Sequence, residues 1–133
     1  MKGRLLADDG RAVVVALDHA LASGQVPPLD HPKPLLDSLL EARPDGLILT
    51  HGMTKLVSPG AVGQRWLTAD YYATSTLPGA GGEHEIQDQI WSAATARALG
   101  ATGLKVLLVF GRHSPEVFLR NVRYVSSLID EAR

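Results

Sequence analysis

The sequence predicts an α/β fold assembled from repeated strand–helix units. Three observations carry that prediction. Apolar runs of strand length recur along the chain: AVVVAL at 12–17, GLILT at 46–50 and LKVLLVF at 104–110. Between them stand stretches with apolar residues at helical spacing, such as Leu35, Leu36, Leu39 and Leu40. The first two runs lead into polar pairs, Asp18-His19 and Thr50-His51, at the carboxyl ends of strands, where parallel α/β folds place their chemistry.

Taken in order, residues 1–9 read as a short helical lead-in. Residues 12–17 form the first strand, a continuous run of the kind buried on both faces of a parallel sheet. The loop over 18–31 carries Gly24, Pro27 and Pro28, which disfavour regular structure. Asp30 stands where it can N-cap a helix to about residue 43, with Pro32 and Pro34 in the first turn. Pro44, Asp45 and Gly46 turn the chain into the second strand, 46–50. A short helix over 53–57 follows and breaks at Ser58-Pro59-Gly60.

The third strand is 65–69, with Asp70 at its end, and 71–82 reads as a loop. A helix over 83–99 would turn Ile86, Ile90, Trp91, Ala94 and Ala98 inward and stop at Gly100. The fourth strand, 104–110, passes through Gly111-Arg112-His113 to a last helix. Ser114 would cap it and Pro115 would open it, with Val117, Val122, Val125, Leu128 and Ile129 inward.

Alternating strands and helices imply a parallel sheet with right-handed crossovers. Two architectures satisfy this. One is a small open sheet with helices on both faces. The other is the first half of an eight-stranded β/α barrel, a fold of about 250 residues when whole. A half barrel leaves its first and fourth strands with unpaired edges, which a second copy or a second half would have to cover. The 133 residues read as a single domain.

The totals narrow the function classes. Hydrophobic residues make up 45% of the chain, enough for a real core. Thirteen basic residues face fourteen acidic ones, so no bulk charge draws the chain to nucleic acid or to a membrane surface. Aromatic residues are 5%, which further weakens a base-stacking role. Cysteine is absent, which removes disulfides and thiolate metal sites and fits a reducing cytoplasm. The apolar stretch near the N-terminus is too short for a signal peptide, and no run has the length of a membrane span. The expectation is a cytoplasmic protein.

Lys105 is the most informative residue, because it interrupts an apolar strand and buried lysines need a partner. Alternate residues of a barrel strand face the lumen, where an amine can meet carboxylates from other strands and serve as base or Schiff-base former. The plain alternative is a lysine snorkelling to the far end of its strand. Asp18 is the natural partner and a candidate to orient a substrate hydroxyl or move a proton. His19 is adjacent, would point the other way in an extended chain, and is a further candidate for substrate binding. His51 and Asp70 stand at strand ends and are candidates for substrate binding. Arg112 precedes a helix N-terminus and is a candidate for an anion. The glycine-rich stretch over 77–82 lacks the Lys and Ser/Thr of a phosphate loop, and Glu83 and Glu85 would oppose an anion there. The five histidines show no metal-ligand spacing, so neither metal nor cofactor is expected.

These residues resemble a known group. RAVVVALDHALASG is similar to the first strand and loop of the class I aldolases of the bacterial and archaeal fructose-bisphosphate and tagatose-bisphosphate superfamily. PDGLILTHGMTK resembles their second strand, and ARALGATGLKVLLVFG their fourth, where the tagatose-bisphosphate branch carries a lysine in the place of Lys105. The resemblance covers nearly the whole chain. It implies four βα units equivalent to the first half of a (β/α)8 TIM barrel, and a lyase of carbohydrate metabolism that works on a phosphorylated keto sugar or related carbonyl compound without a cofactor. It implies that Asp18 binds or polarises substrate hydroxyls and that Lys105 supports the charge network. The family's Schiff-base lysine lies on the sixth strand, its acid/base residue on the fifth, and its phosphate loops after the last two. The expectation is therefore an aldolase or aldolase-derived half, working as a homo-oligomer, with a complementary half-barrel, or as part of a longer enzyme. The competing expectation is a non-catalytic binding or assembly module.

Overall fold

A computed structural model of the chain describes residues 6, 8–24, 26–72, 87–108 and 115–133. The predicted N-terminal lead-in falls almost wholly outside these. Four parallel strands form one sheet in the order β1-β2-β3-β6: β1 (Val14–Ala16), β2 (Gly46–Leu49), β3 (Gln64–Thr68) and β6 (Gly103–Lys105). The order never doubles back. Because βα crossovers are right-handed, an order that advances in one direction puts every crossover helix on the same face. The sheet is thus half of a β/α barrel, and the open sheet with helices on both faces is excluded.

The helices fall where this requires. Leu36 of α2 (Pro32–Glu41) and Met53 of α3 (His51–Thr54) pack with Val57 against Leu17, Leu47 and Leu49. Ala96 of α4 (Ala93–Ala98) packs on Leu67. Leu128 of α5 (Pro115–Ala132) is buried beside Leu104 and Val106. These strand residues share one parity, so they share one face. The other parity, with Val14, Ala16, Ile48 and Trp66, is only half-buried. Among the described residues no helix core covers it.

Several boundaries differ from expectation, each for a local reason. β1 is half-exposed along its length rather than buried on both faces, because it is an edge strand and one face lacks a helix layer. The loop after it contains a single helical turn, α1 (Ala20–Ser23). Pro32 sets the start of α2, so His31 is its N-cap, with no side-chain bond, and Asp30 lies one residue too early. α3 begins at His51 because Thr50 caps it, its hydroxyl accepting the Met53 N–H at 3.3 Å.

The largest correction is the helix expected over 83–99. Gln87–Gln89 is instead strand β5, antiparallel to β4 (Asp70–Tyr72), within a stretch expected to be loop. Its three polar residues carry no helical stripe. The Ala69 carbonyl accepts the N–H of Ile90 at 2.8 Å and of Trp91 at 3.1 Å, anchoring the returning strand. Ser92 then caps α4 through the Thr95 N–H at 3.1 Å. Ala93 and Ala96 are buried, not Ala94 and Ala98, and Ile90 is exposed. The fourth parallel strand is regular only to Lys105, and 106–108 continue without a ladder. α5 begins at Pro115 as expected, but Val122 and Ile129 are exposed and the side chain of Val117 lies outside the description. Ser114 and Ile86 also lie outside the described residues.

A buried arginine ties the helix layer together. Arg65, 3% exposed, donates to the carbonyl of Val57 at 2.9 Å and to the carbonyl of Gly100. Gly100 ends α4 with φ +68°, and a Cβ there would meet the guanidinium at 2.6 Å. Gly100→Ala and Arg65→Met are each expected to reduce stability by about 1–3 kcal/mol. Urea unfolding checks this, and an unchanged midpoint in Arg65→Met would show that the clamp contributes nothing.

Candidate functional site

Register and alternation build the concave face level by level. Ala16 pairs with Ile48, Ile48 with Trp66, Trp66 with Gly103, and Thr68 with Lys105. Residues paired in this way point to the same side of a parallel sheet. Two glycines make room on it. A Cβ at Gly103 would lie 2.9 Å from the Trp66 ring, and one at Gly46 would lie 2.9 Å from the Gln64 Cβ. The indole therefore lies across Gly103, its Nε1 donating to Gln64 Oε1 at 3.4 Å. Gln64 Oε1 also accepts from Thr102 Oγ1 at 3.1 Å. Ile48, Trp66 and Gln64 form a floor toward the amino ends of the strands.

Above this floor, at the carboxyl ends, three side chains meet. Asp18 Oδ2 lies 3.0 Å from Lys105 Nζ and accepts the Thr68 hydroxyl at 2.8 Å. Asp18 follows β1 while Lys105 closes β6. In a flat sheet those strands would stand three spacings apart, about 14 Å. A direct ion pair between them requires the sheet to curl toward this face. The side chains of Asp18 and Lys105 are 10% and 31% exposed, and Thr68 is buried. Burial opposes ionisation of Asp18. The hydrogen bonds from Lys105 and Thr68 and the charge of Lys105 outweigh it and hold the carboxyl below its ordinary value.

The other candidates are placed differently. His19 is exposed and takes helical backbone angles as the N-cap of α1, so the alternation of an extended chain does not apply to it. His51, at the start of α3, stacks on Trp91 with ring centroids 4.1 Å apart and an interplanar angle of 14°. Asp70 is 3% exposed, and its Oδ2 accepts the Leu107 N–H at 2.9 Å, fixing the chain two residues beyond Lys105. It also acts on Tyr124 of α5, whose hydroxyl is pushed up by burial and then by the charges of Asp70, Asp88 and Glu131. Arg112 lies outside the described residues, as do His84 and the stretch 77–82. Among the described residues no group of three or more His, Cys, Asp or Glu side chains could hold a metal ion.

Thr68 was not singled out by its sequence. The signal available was its parity: it stands two residues beyond Trp66, beside Lys105 once the strands are in register. No described helix is long and apolar enough to cross a membrane.

Because Asp18 ionises more readily in the folded chain than in the unfolded one, it contributes stability above its unfolded value of about 3.9. That contribution is lost as pH falls through the lower folded value. Asp18→Asn should therefore flatten the loss of stability below about pH 4, read as urea midpoint against pH. An acid limb as steep as in the wild type would show that the pair does not set it.

No family model matches the sequence. Over 52 residues the chain is 42% identical to an uncharacterized aldolase of Saccharolobus solfataricus, a match covering 39% of this chain and 19% of that protein. Among solved structures it superposes on an archaeal fructose-1,6-bisphosphate aldolase whose catalytic lysine is covalently bound to the carbinolamine intermediate of the substrate. The TM-score is 0.74 at 19% identity, over 97% of this chain and 50% of the other. The chain therefore spans about half the length of that enzyme.

Proposed function

We propose that this chain, whose sequence and fold support an aldolase-superfamily half-barrel, carries the hydroxyl-binding and charge-setting half of a class I aldolase site for a phosphorylated keto sugar or a related carbonyl compound. The observation that carries the reading is the meeting of Asp18, Thr68 and Lys105 from three separate strand ends on the concave face. A carboxylate held ionised by an ammonium and a hydroxyl can accept a hydrogen bond from a substrate hydroxyl and take its proton as a carbon–carbon bond breaks. Lys105 and Thr68 keep that carboxylate ionised and aimed.

The ion pair also bears on Lys105 itself. An amine attacks a carbonyl through its lone pair, and an ammonium beside a carboxylate has none free. This favours Lys105 as the charge partner of Asp18, with the imine-forming amine supplied from elsewhere. His51 and Asp70 belong to the proposal as supports of the rim, through Trp91 and Leu107 respectively. His19, exposed at the start of α1, is a further candidate for substrate contact. Arg112, in the chain between β6 and α5, is the candidate for the substrate phosphate. A second reading, a binding module without turnover, draws on the same feature: an apolar floor and a polar rim can recognise a sugar without an attacking amine.

Borohydride trapping with dihydroxyacetone phosphate tests whether Lys105 is the charge partner of Asp18 or the imine-forming amine, and binding in Asp18→Asn tests the cluster itself. The chain has four lysines, Lys2, Lys33, Lys55 and Lys105, so peptide mapping assigns any adduct. The expected result is no reduced adduct on Lys105, with dihydroxyacetone phosphate still binding and with at least tenfold weaker binding in Asp18→Asn, as befits loss of a charge-assisted hydrogen bond. An adduct on Lys105 would make it the Schiff-base residue. Unchanged binding in Asp18→Asn would remove the cluster from the site.

A further inference from the structure

We infer that the two free edges of the sheet belong to one another, so that β1 of one copy pairs beside β6 of a second copy, and the reverse, closing an eight-stranded ring from two chains. The inference rests on the fold and not on the aldolase chemistry.

Both outer edges lack a strand partner among the described residues. In β1 the Val13 carbonyl and the Leu17 N–H bond to β2, so alternation turns the backbone groups of Val14 and Ala16 to the open side. In β6 the Lys105 carbonyl bonds to Ala69, so those of Leu104 turn outward. The strands at both edges run parallel to their neighbours. Each edge therefore needs a strand of the same direction, and the other edge of a second copy supplies one.

The helix layer shows the same incompleteness. In this fold a helix covers the join between its own strand and the next, as α2 covers β1 and β2 through Leu36. α5 follows β6, and no further strand lies beside β6 among the described residues. What remains is an apolar groove of about 160 Å³ between Leu104 and Val106 on one side and Val125, Leu128 and Ile129 on the other. Ile129 is 51% exposed. At the opposite edge Val13 is 64% exposed and has the parity of Val15 and Leu17, that of the helix-covered face. A β1 strand laid beside β6 in parallel brings Val13 and Val15 of the second copy next to Leu104 and Val106, under α5.

A two-fold axis along the ring makes both joins identical, so a pair of chains closes and leaves no edge. The superposition on half of a solved aldolase chain gives the curvature that such closure needs. Closure also places two Asp18–Thr68–Lys105 clusters on one enclosed face.

The test uses the 133-residue chain in sedimentation equilibrium. The wild type is expected at twice its 14.2 kDa mass. Val13→Asp and Ile129→Lys, both exposed positions, should each shift it to the monomer mass, since each variant damages both symmetric joins. An equimolar mixture of the two variants should recover the dimer mass, because one join then pairs Asp with Lys and the other is wild-type. Circular dichroism confirms that each variant stays folded. A monomeric wild type, a dimer indifferent to both substitutions, or variants that dissociate and are not rescued by mixing would each overturn the inference.

Discussion

A strand order that advances in one direction governs everything else in this molecule. Right-handed crossovers then stack every helix core on one face, and the other face is left to the side chains of the strands themselves. The division shows in composition. The helix side takes Leu17, Leu47, Leu49 and Leu67, all buried. The concave side takes Ile48, Trp66, Gln64, Thr68 and Lys105. Polar and bulky groups are tolerated there because, among the described residues, no helix layer has to fit against them. Gly46 and Gly103 belong to the same economy of space, since a methyl group at either would strike a neighbouring side chain.

The ion pair between Asp18 and Lys105 is the chemical counterpart of that geometry. It spans strands that a flat sheet would keep apart, so it exists only because the sheet curls. The carboxylate stays ionised although its side chain is largely buried, because two donors converge on one oxygen. Lys105 retains enough exposure for solvent to screen it. The pair's contribution to stability is accordingly the acid-labile part that Asp18 supplies once ionised.

The barrel half was legible in the sequence because its signals are local. Apolar runs ending in polar residues marked β1 and β2, and a lysine inside an apolar run pointed to the ion pair with Asp18. Alternation could put Asp18 and Lys105 on one face, and the barrel expectation brought their strands within reach. Thr68 could not be found in this way, because its role depends on register between β3 and β6, a long-range property no single strand encodes. The β4–β5 hairpin failed for a related reason. Gln87–Gln89 is polar throughout and becomes a strand only by pairing with Asp70–Tyr72, while the nearby apolar residues imitate a helical stripe. Ser92 was the better guide to where α4 starts. Arg65 was read only as part of a strand, although it is the most buried cation described, because its carbonyl partners come from two separate loops.

The exposed stripe of α5 follows from these same constraints. An 18-residue helix with Leu119, Val122 and Ile129 in solvent has an apolar face wider than β6 can cover. Periodicity assigns such residues to a core, and in this fold the core in question lies between β6 and the strand that would come next. The half-exposure of the AVVVAL run has the same origin at the opposite end of the sheet. Both departures from the expected burial therefore report one fact. The sequence is patterned for a sheet with a neighbour on each edge, and the four strands among the described residues provide neighbours on only the inner ones.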